Sequence, residues 1–141
     1  MTLRRVTAVL AIVGVAIAGY LTWVHYAGLE PVCVGGGGGC ERVQSSRWAE
    51  LAGVPVAVLG LAGYLTILAS LGLPEEPGAL VAAFLALVGF GFSCWLTYVE
   101  IAKIDAICQW CVASAVVMTA LALVGVARVL RGAPPRAAPA A

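Results

Sequence analysis

The chain has 141 residues, 62% of them hydrophobic and 11% charged, with a mean hydropathy of +1.03 and a net charge of +1. This is more apolar surface than a soluble domain of such length can bury, so lipid is expected to be its main solvent. With no basic cluster to hold a phosphate backbone, nucleic-acid binding is excluded.

Arg4 and Arg5 precede an apolar run over 6–26, uninterrupted for 21 residues. That is too long for the core of a signal peptide and predicts an uncleaved spanning helix. Further spans are predicted at 54–73, 79–99 and 108–130. At about 1.5 Å per residue each crosses a hydrocarbon core of roughly 30 Å. The expected fold is an all-α membrane protein, a bundle of four transmembrane helices over 1–131, followed by a Pro/Ala-rich tail at 132–141 predicted to be disordered.

Four spans leave both termini on one side. Arg4, Arg5, Arg128, Arg131 and Arg136 lie there, against Arg42, Arg47 and Lys103 on the other, which predicts cytoplasmic termini. The loops 27–53 and 100–107 are then extracytoplasmic, and the short connection 72–78, with Pro74 and Pro77 as helix punctuation, is cytoplasmic. In the first outer loop, Val34 and the glycines Gly35 to Gly39 separate Cys33 from Cys40, which predicts a mobile segment. Ser45 and Ser46 are expected to cap a short interfacial helix over 47–52, with Trp48 as a lid. Gly53 breaks it, and Pro55 opens the second span in its first turn.

Four of the five cysteines fall in two pairs at the ends of apolar segments. Cys108 and Cys111 form a C-x-x-C motif at the start of the fourth span, with Asp105 three residues earlier as the expected cap. A helix N-terminus stabilises a thiolate, the nucleophile in dithiol exchange. The same motif read as small packing residues leaves its spacing and its place at the boundary unexplained. Cys33 and Cys40 taken alone read as a structural disulfide; taken with a second pair on the same face, they read as a relay that exchanges through a mixed disulfide. A four-thiolate zinc site fits poorly, because the loop pair is too widely spaced and no ligand histidine is near. Cys94, inside the third span, is expected to be a buried packing residue, and His25 an interfacial one.

Tyr20, Trp23, Tyr26, Trp95, Tyr98 and Trp110 gather at the outer span ends as an aromatic belt that also suits a flat ring. Two other classes of function compete with a redox role. A proton-coupled exporter needs an ionisable residue within the membrane, whereas Glu30, Glu41, Glu50, Glu75, Glu76, Glu100 and Asp105 are all expected in loops or at span ends. A non-redox membrane protein with permanent disulfides predicts pairs that resist mild reductant.

The cysteine order, the run Cys-Glu-Arg-Val-Gln-Ser-Ser-Arg-Trp at 40–48, the Gly-Val-Pro at 53–55 and the late C-x-x-C together resemble the vitamin K epoxide reductase family. The resemblance implies a four-helix bundle around a quinone and an enzyme of the thiol-disulfide oxidoreductase class. Cys33 would meet a thioredoxin-like thiol oxidase acting in trans, Cys40 would exchange with Cys108, and Cys111 would face the quinone. Ser46 would support the site by hydrogen bonding, with Cys111, Ser46 and Trp110 as the expected quinone contacts. Animal members are expected to hold vitamin K with an Asn and a Tyr; this chain has no Asn, and Ala115 follows Cys111 by four residues. The resemblance therefore points to the bacterial-type role in the inner cell membrane, with ubiquinone or menaquinone as electron sink in support of disulfide formation in secreted proteins. Reduction of a vitamin K-type naphthoquinone or of its epoxide is the alternative.

Overall fold

The computed structural model describes residues 2–35 and 38–132. Helix α1 (Leu3–Ala27) opens on Thr2, whose hydroxyl accepts from the Arg5 amide at 3.3 Å, and closes on Gly28 in the left-handed region. Within the outer loop lie a short helix α2 (Gly39–Gln44), a 3-10 turn (Arg47–Ala49) and a two-stranded antiparallel hairpin, β1 (Glu50–Leu51) with β2 (Val54–Pro55). Helices α3 (Val56–Ser70), α4 (Glu75–Val99) and α5 (Gln109–Gly132) follow, α4 running on into a π-helical segment, Glu100–Ile104.

The long helices form a closed ring in which α1 packs on α3 and α5, and α4 packs on α3 and α5. Small residues set its spacing. Gly78, Ala79, Ala82, Ala83 and Ala86 make the buried stripe of α4, and a Cβ placed on Gly125 of α5 would come within 2.9 Å of the Ala83 Cα. In lipid, where apolar burial gives helices little reason to associate, such close backbone approach is the main source of packing energy. Tyr64 of α3 is fully buried at the centre, its hydroxyl 2.9 Å from the Ser114 carbonyl oxygen, and Gly14 of α1 leaves the room its ring occupies.

Three helical segments, Leu3–Ala27, Glu75–Ile104 and Gln109–Gly132, are long and apolar enough to cross a membrane. Helix α3 is apolar but has only 15 residues, shorter than the span expected over 54–73. The difference lies at its ends: Val54 and Pro55 pair in the hairpin, and the helix stops before Leu71.

The outer loop also differs from expectation. Ala52 and Gly53 both have positive φ, 53° and 82°, and make a two-residue hairpin turn where a helix over 47–52 was predicted. The helix in this loop is instead α2, which starts within the glycine run. Gly36 and Gly37, like the tail from 133 on, lie outside the described residues. Glu100 is part of a helix rather than of a loop, and Cys94 points outward from α4 and is exposed rather than buried.

At the end of the bundle away from the cysteines, Arg4 donates to the Leu71 carbonyl oxygen, and the buried Arg128 holds Glu75 at 2.8 Å. The Arg128 Nη1 has no partner among the described residues, so Glu75 alone compensates that guanidinium. Removing one member of such a pair costs more than removing the charge itself. Glu75→Ala should therefore lower thermal stability by about 2 kcal/mol, less than for a fully buried pair because Glu75 is half exposed, whereas Arg128→Met should cost less. Melting curves of both variants in one detergent decide this.

Candidate functional site

The site is built where the outer loop meets the start of α5. Cys33 and Cys40 are joined by a disulfide, and Cys40, fully buried, packs in one cluster with Val43 and the fully buried Cys108. Cys33 is less covered and lines a polar surface hollow with Arg42, Asp105 and Gln109. Cys108 and Cys111 are free thiols. The structure thus brings all four cysteines together, with the loop pair oxidised and the inner pair reduced.

Both residues between Cys108 and Cys111 hold the loop. Gln109 reads the Val34 backbone as another peptide would, its amide donating to the Val34 carbonyl oxygen while its own oxygen accepts from the Val34 amide at 2.9 Å. The Trp110 indole donates to the Val32 carbonyl oxygen at 2.7 Å, and the Tyr20 hydroxyl accepts from the Val32 amide at 3.0 Å. Trp110 and Tyr20 also pack ring on ring, 4.7 Å apart. Four hydrogen bonds therefore flank Cys33. Gly39 completes the approach, because a side chain there would collide with the Ile107 carbonyl oxygen. The last glycine of the run is needed for contact, not only for freedom of the chain.

Around the inner pair the donors converge on sulfur. The Gln44 amide donates to Cys111 Sγ at 3.4 Å and to Cys108 Sγ at 3.8 Å. A hydrogen bond from the Cys111 thiol, with further help from the Cys111 backbone, Gln44 and the Trp110 backbone, outweighs burial and brings the Cys108 thiol down from 9.0 to about 7. The Cys108 amide, one of the free donors at the head of α5, is taken by Glu100 Oε2 at 3.1 Å. Asp105, the expected cap, instead sits at the left-handed turn leading into the helix, with φ 54°.

Below the thiols lies an apolar cavity of about 370 Å³ between the long helices. Cys111, Gln44, Glu100 and Trp48 stand at its outer end, with Tyr64, Ser114, Ala115 and Met118 among its walls. Trp48 closes over it, braced against Trp95 at 5.7 Å and covered by the Arg47 guanidinium. Its size and its few polar groups suit a small apolar ring compound.

Two expected contacts stand elsewhere. Ser46 donates to the Val43 carbonyl oxygen at 2.7 Å, which shapes the end of α2, and Trp110 faces the loop; neither lines the cavity. Gln44 and Glu100, not singled out from the sequence, take the polar positions at the sulfurs. The hint was there in Gln44, which sits within the run at 40–48, two residues from Ser46.

Thiolate absorbance of the reduced protein should titrate with a midpoint near pH 7, lost in Cys108→Ser and moved upward in Gln44→Leu. Exchange at Cys108 should slow as pH falls through that midpoint, where the thiolate is protonated. In Gln109→Ala or Trp110→Phe, the loop disulfide should be reduced by a small water-soluble dithiol several-fold faster than in the parent, as followed by alkylation of Cys33 and Cys40.

Residues 5–126 match the family described as the vitamin K epoxide reductase family.

Proposed function

The chain belongs to the vitamin K epoxide reductase family, and on that premise we propose that it is a quinone-linked thiol-disulfide oxidoreductase that reoxidises a thioredoxin-like partner outside the membrane. Family membership supports an oxidoreductase of membranes; the direction and the residues of the relay are our reading. One observation carries it: Cys40 and Cys108 share a buried cluster, while Cys111 faces an apolar cavity.

In this reading a reduced partner dithiol attacks the Cys33–Cys40 disulfide at Cys33, the member of the pair that borders the surface hollow. The partner leaves as a disulfide, and Cys33 and Cys40 become thiols. Cys40 then attacks the Cys108–Cys111 disulfide at Cys108, and Cys33 resolves the mixed bond, leaving the loop pair oxidised and the inner pair reduced. That end state matches the pattern of bonded and free cysteines in the structure.

The cavity fits a quinone ring, since its walls are apolar and its polar groups, Gln44 and Glu100, are gathered at the Cys111 end. A bound quinone supplies a two-electron, two-proton acceptor. Cys111 stands at the wall to pass electrons on, Gln44 orients both sulfurs, and Trp48 and Trp95 exclude water from above. The absence of Asn and the presence of Ala115 in the wall favour ubiquinone or menaquinone over vitamin K epoxide as acceptor.

We further take all four long helices as spans. Helix α3 crosses with the help of its apolar flanks, Val54 and Leu71 to Leu73, and local thinning of the bilayer takes up the remaining mismatch. The arginine asymmetry supports termini in the cytoplasm of the inner membrane and cysteines outside.

With a reduced thioredoxin-fold donor and a short-chain quinone, the purified protein should turn over, and Cys40→Ala, Cys108→Ala and Cys111→Ala should each lower the rate at least 10²-fold. Cys94→Ala, altered on the outer face, should leave it unchanged. In Cys33→Ala, which lacks the resolving thiol, Cys40 should be trapped on Cys108 as a mixed disulfide visible by mass. A wild-type protein that accepts no electrons from any donor, with disulfides that resist mild reductant, would instead assign the cysteines a structural role.

A further inference from the structure

Glu100 is the one buried carboxylate among the described residues, 4% exposed at the outer end of the segment Glu75–Ile104. An acid in that position is expensive and calls for a use. Its Oε2 binds the Cys108 amide at 3.1 Å, its carboxyl group faces the Cys111 thiol, and it shares the cavity wall with Cys111. The titratable groups packed against it are those two thiols; Lys103 on its own segment is exposed. The Cys108 sulfur, for its part, receives hydrogen bonds from Gln44 and Cys111, an arrangement of donors that suits a thiolate.

These contacts leave the redox step one proton short. Closing a disulfide between a Cys108 thiolate and a Cys111 thiol releases two electrons but only the single Cys111 proton, whereas a quinone takes up two of each. Resting on the relay and quinone reading above, we propose that Glu100 is a catalytic residue that stores the second proton, giving it up as the inner disulfide closes and regaining it as the inner pair is reduced.

The bookkeeping closes over both halves of the cycle. In the oxidising half, the Cys108 thiolate, the Cys111 thiol, the Glu100 carboxylic acid and the quinone yield the Cys108–Cys111 disulfide, the Glu100 carboxylate and the hydroquinone. In the reducing half, the Cys33 and Cys40 thiols bring two protons and two electrons to the inner disulfide. Their own disulfide forms, one proton stays on Cys111, and the other returns to Glu100. Charge is the same on both sides of each half, so no proton from bulk water has to cross the buried cluster.

The test uses the full chain in detergent. In Glu100→Gln, reduction of the Cys108–Cys111 pair by a reduced thioredoxin-fold donor without quinone should proceed to completion, read by alkylation and mass. Reduction of a short-chain quinone should fall roughly 10²-fold, the scale of a lost acid–base group. Glu100→Asp, which keeps a carboxyl group, should recover part of that rate. Infrared difference spectra between disulfide and dithiol forms of the quinone-free protein should show a carboxylic-acid carbonyl band appearing on reduction, absent in Glu100→Gln.

A Glu100→Gln protein with the wild-type quinone rate, or a wild-type spectrum without that band, would overturn the proposal. So would loss of the thiol exchange itself in Glu100→Asp, which would mark the carboxylate as a structural cap. If the wild type reduces no quinone at all, the acceptor reading fails, and the infrared band still decides whether Glu100 takes up a proton with the thiols.

Discussion

A disulfide is transferred only by contact: the attacking sulfur must reach the sulfur under attack, and neither can do so through water or lipid. The arrangement of this molecule follows from that constraint. Cys40 and Cys108 lie more than sixty residues apart in the chain and on different elements, yet both are fully buried in one cluster. What holds them there is a set of backbone contacts to the loop, made by Gln109, Trp110 and Tyr20 from the ring of helices, with Gly39 removing the one side chain that would keep α2 away. The two residues between the cysteines of the C-x-x-C motif use their side chains to strap the other pair into place.

Burial that brings sulfurs together also removes the water that would stabilise their charge, so the same cluster has to supply its own polarity. Gln44 comes from the loop, Glu100 from the end of α4, and the amide of Cys108 from the head of α5. Each partner belongs to a different element, and the hydrogen bonds among them tie loop, π-helical segment and helix into one unit. The π-helical turn at Glu100–Ile104 matters for this reason: it closes α4 and leaves the Glu100 carboxylate on the amide at the head of the following helix. Beneath the unit, the small-residue seams between α4 and α5 and the Tyr64 ring seated over Gly14 keep the bundle rigid enough to hold a cavity of defined shape.

Much of the framework was legible in the chain. Long apolar runs identify α1, α4 and α5, because crossing a bilayer demands a length and a composition that any reader of the sequence can count. The cysteine pairs stand out for the same kind of reason, as reactive residues at span ends. Helix α3 was legible as an apolar element but not in its limits, since Val54 and Pro55 satisfy their backbone in a hairpin whose turn depends on Ala52 adopting a conformation the sequence does not announce. Cys94 shows the converse: a cysteine inside a span reads as buried, yet which face of a lipid-embedded helix turns inward is written only weakly when both faces are apolar.

Composition and spacing by themselves determined that the protein is helical, with segments apolar enough to cross a membrane, and that four of its cysteines fall in two pairs at the ends of apolar runs. Only the tertiary structure decided which polar groups serve the sulfurs. Ser46 and Trp110, the natural candidates by position, are turned toward the backbone of Val43 and Val32, while Gln44 reaches both sulfurs and Glu100 takes the Cys108 amide. The reason is that hydropathy and spacing are properties of single segments and survive in the linear chain. A hydrogen bond between residues 67 apart, as between Gln44 and Cys111, depends on how those segments dock, and docking is set by the packing of every other helix in the ring.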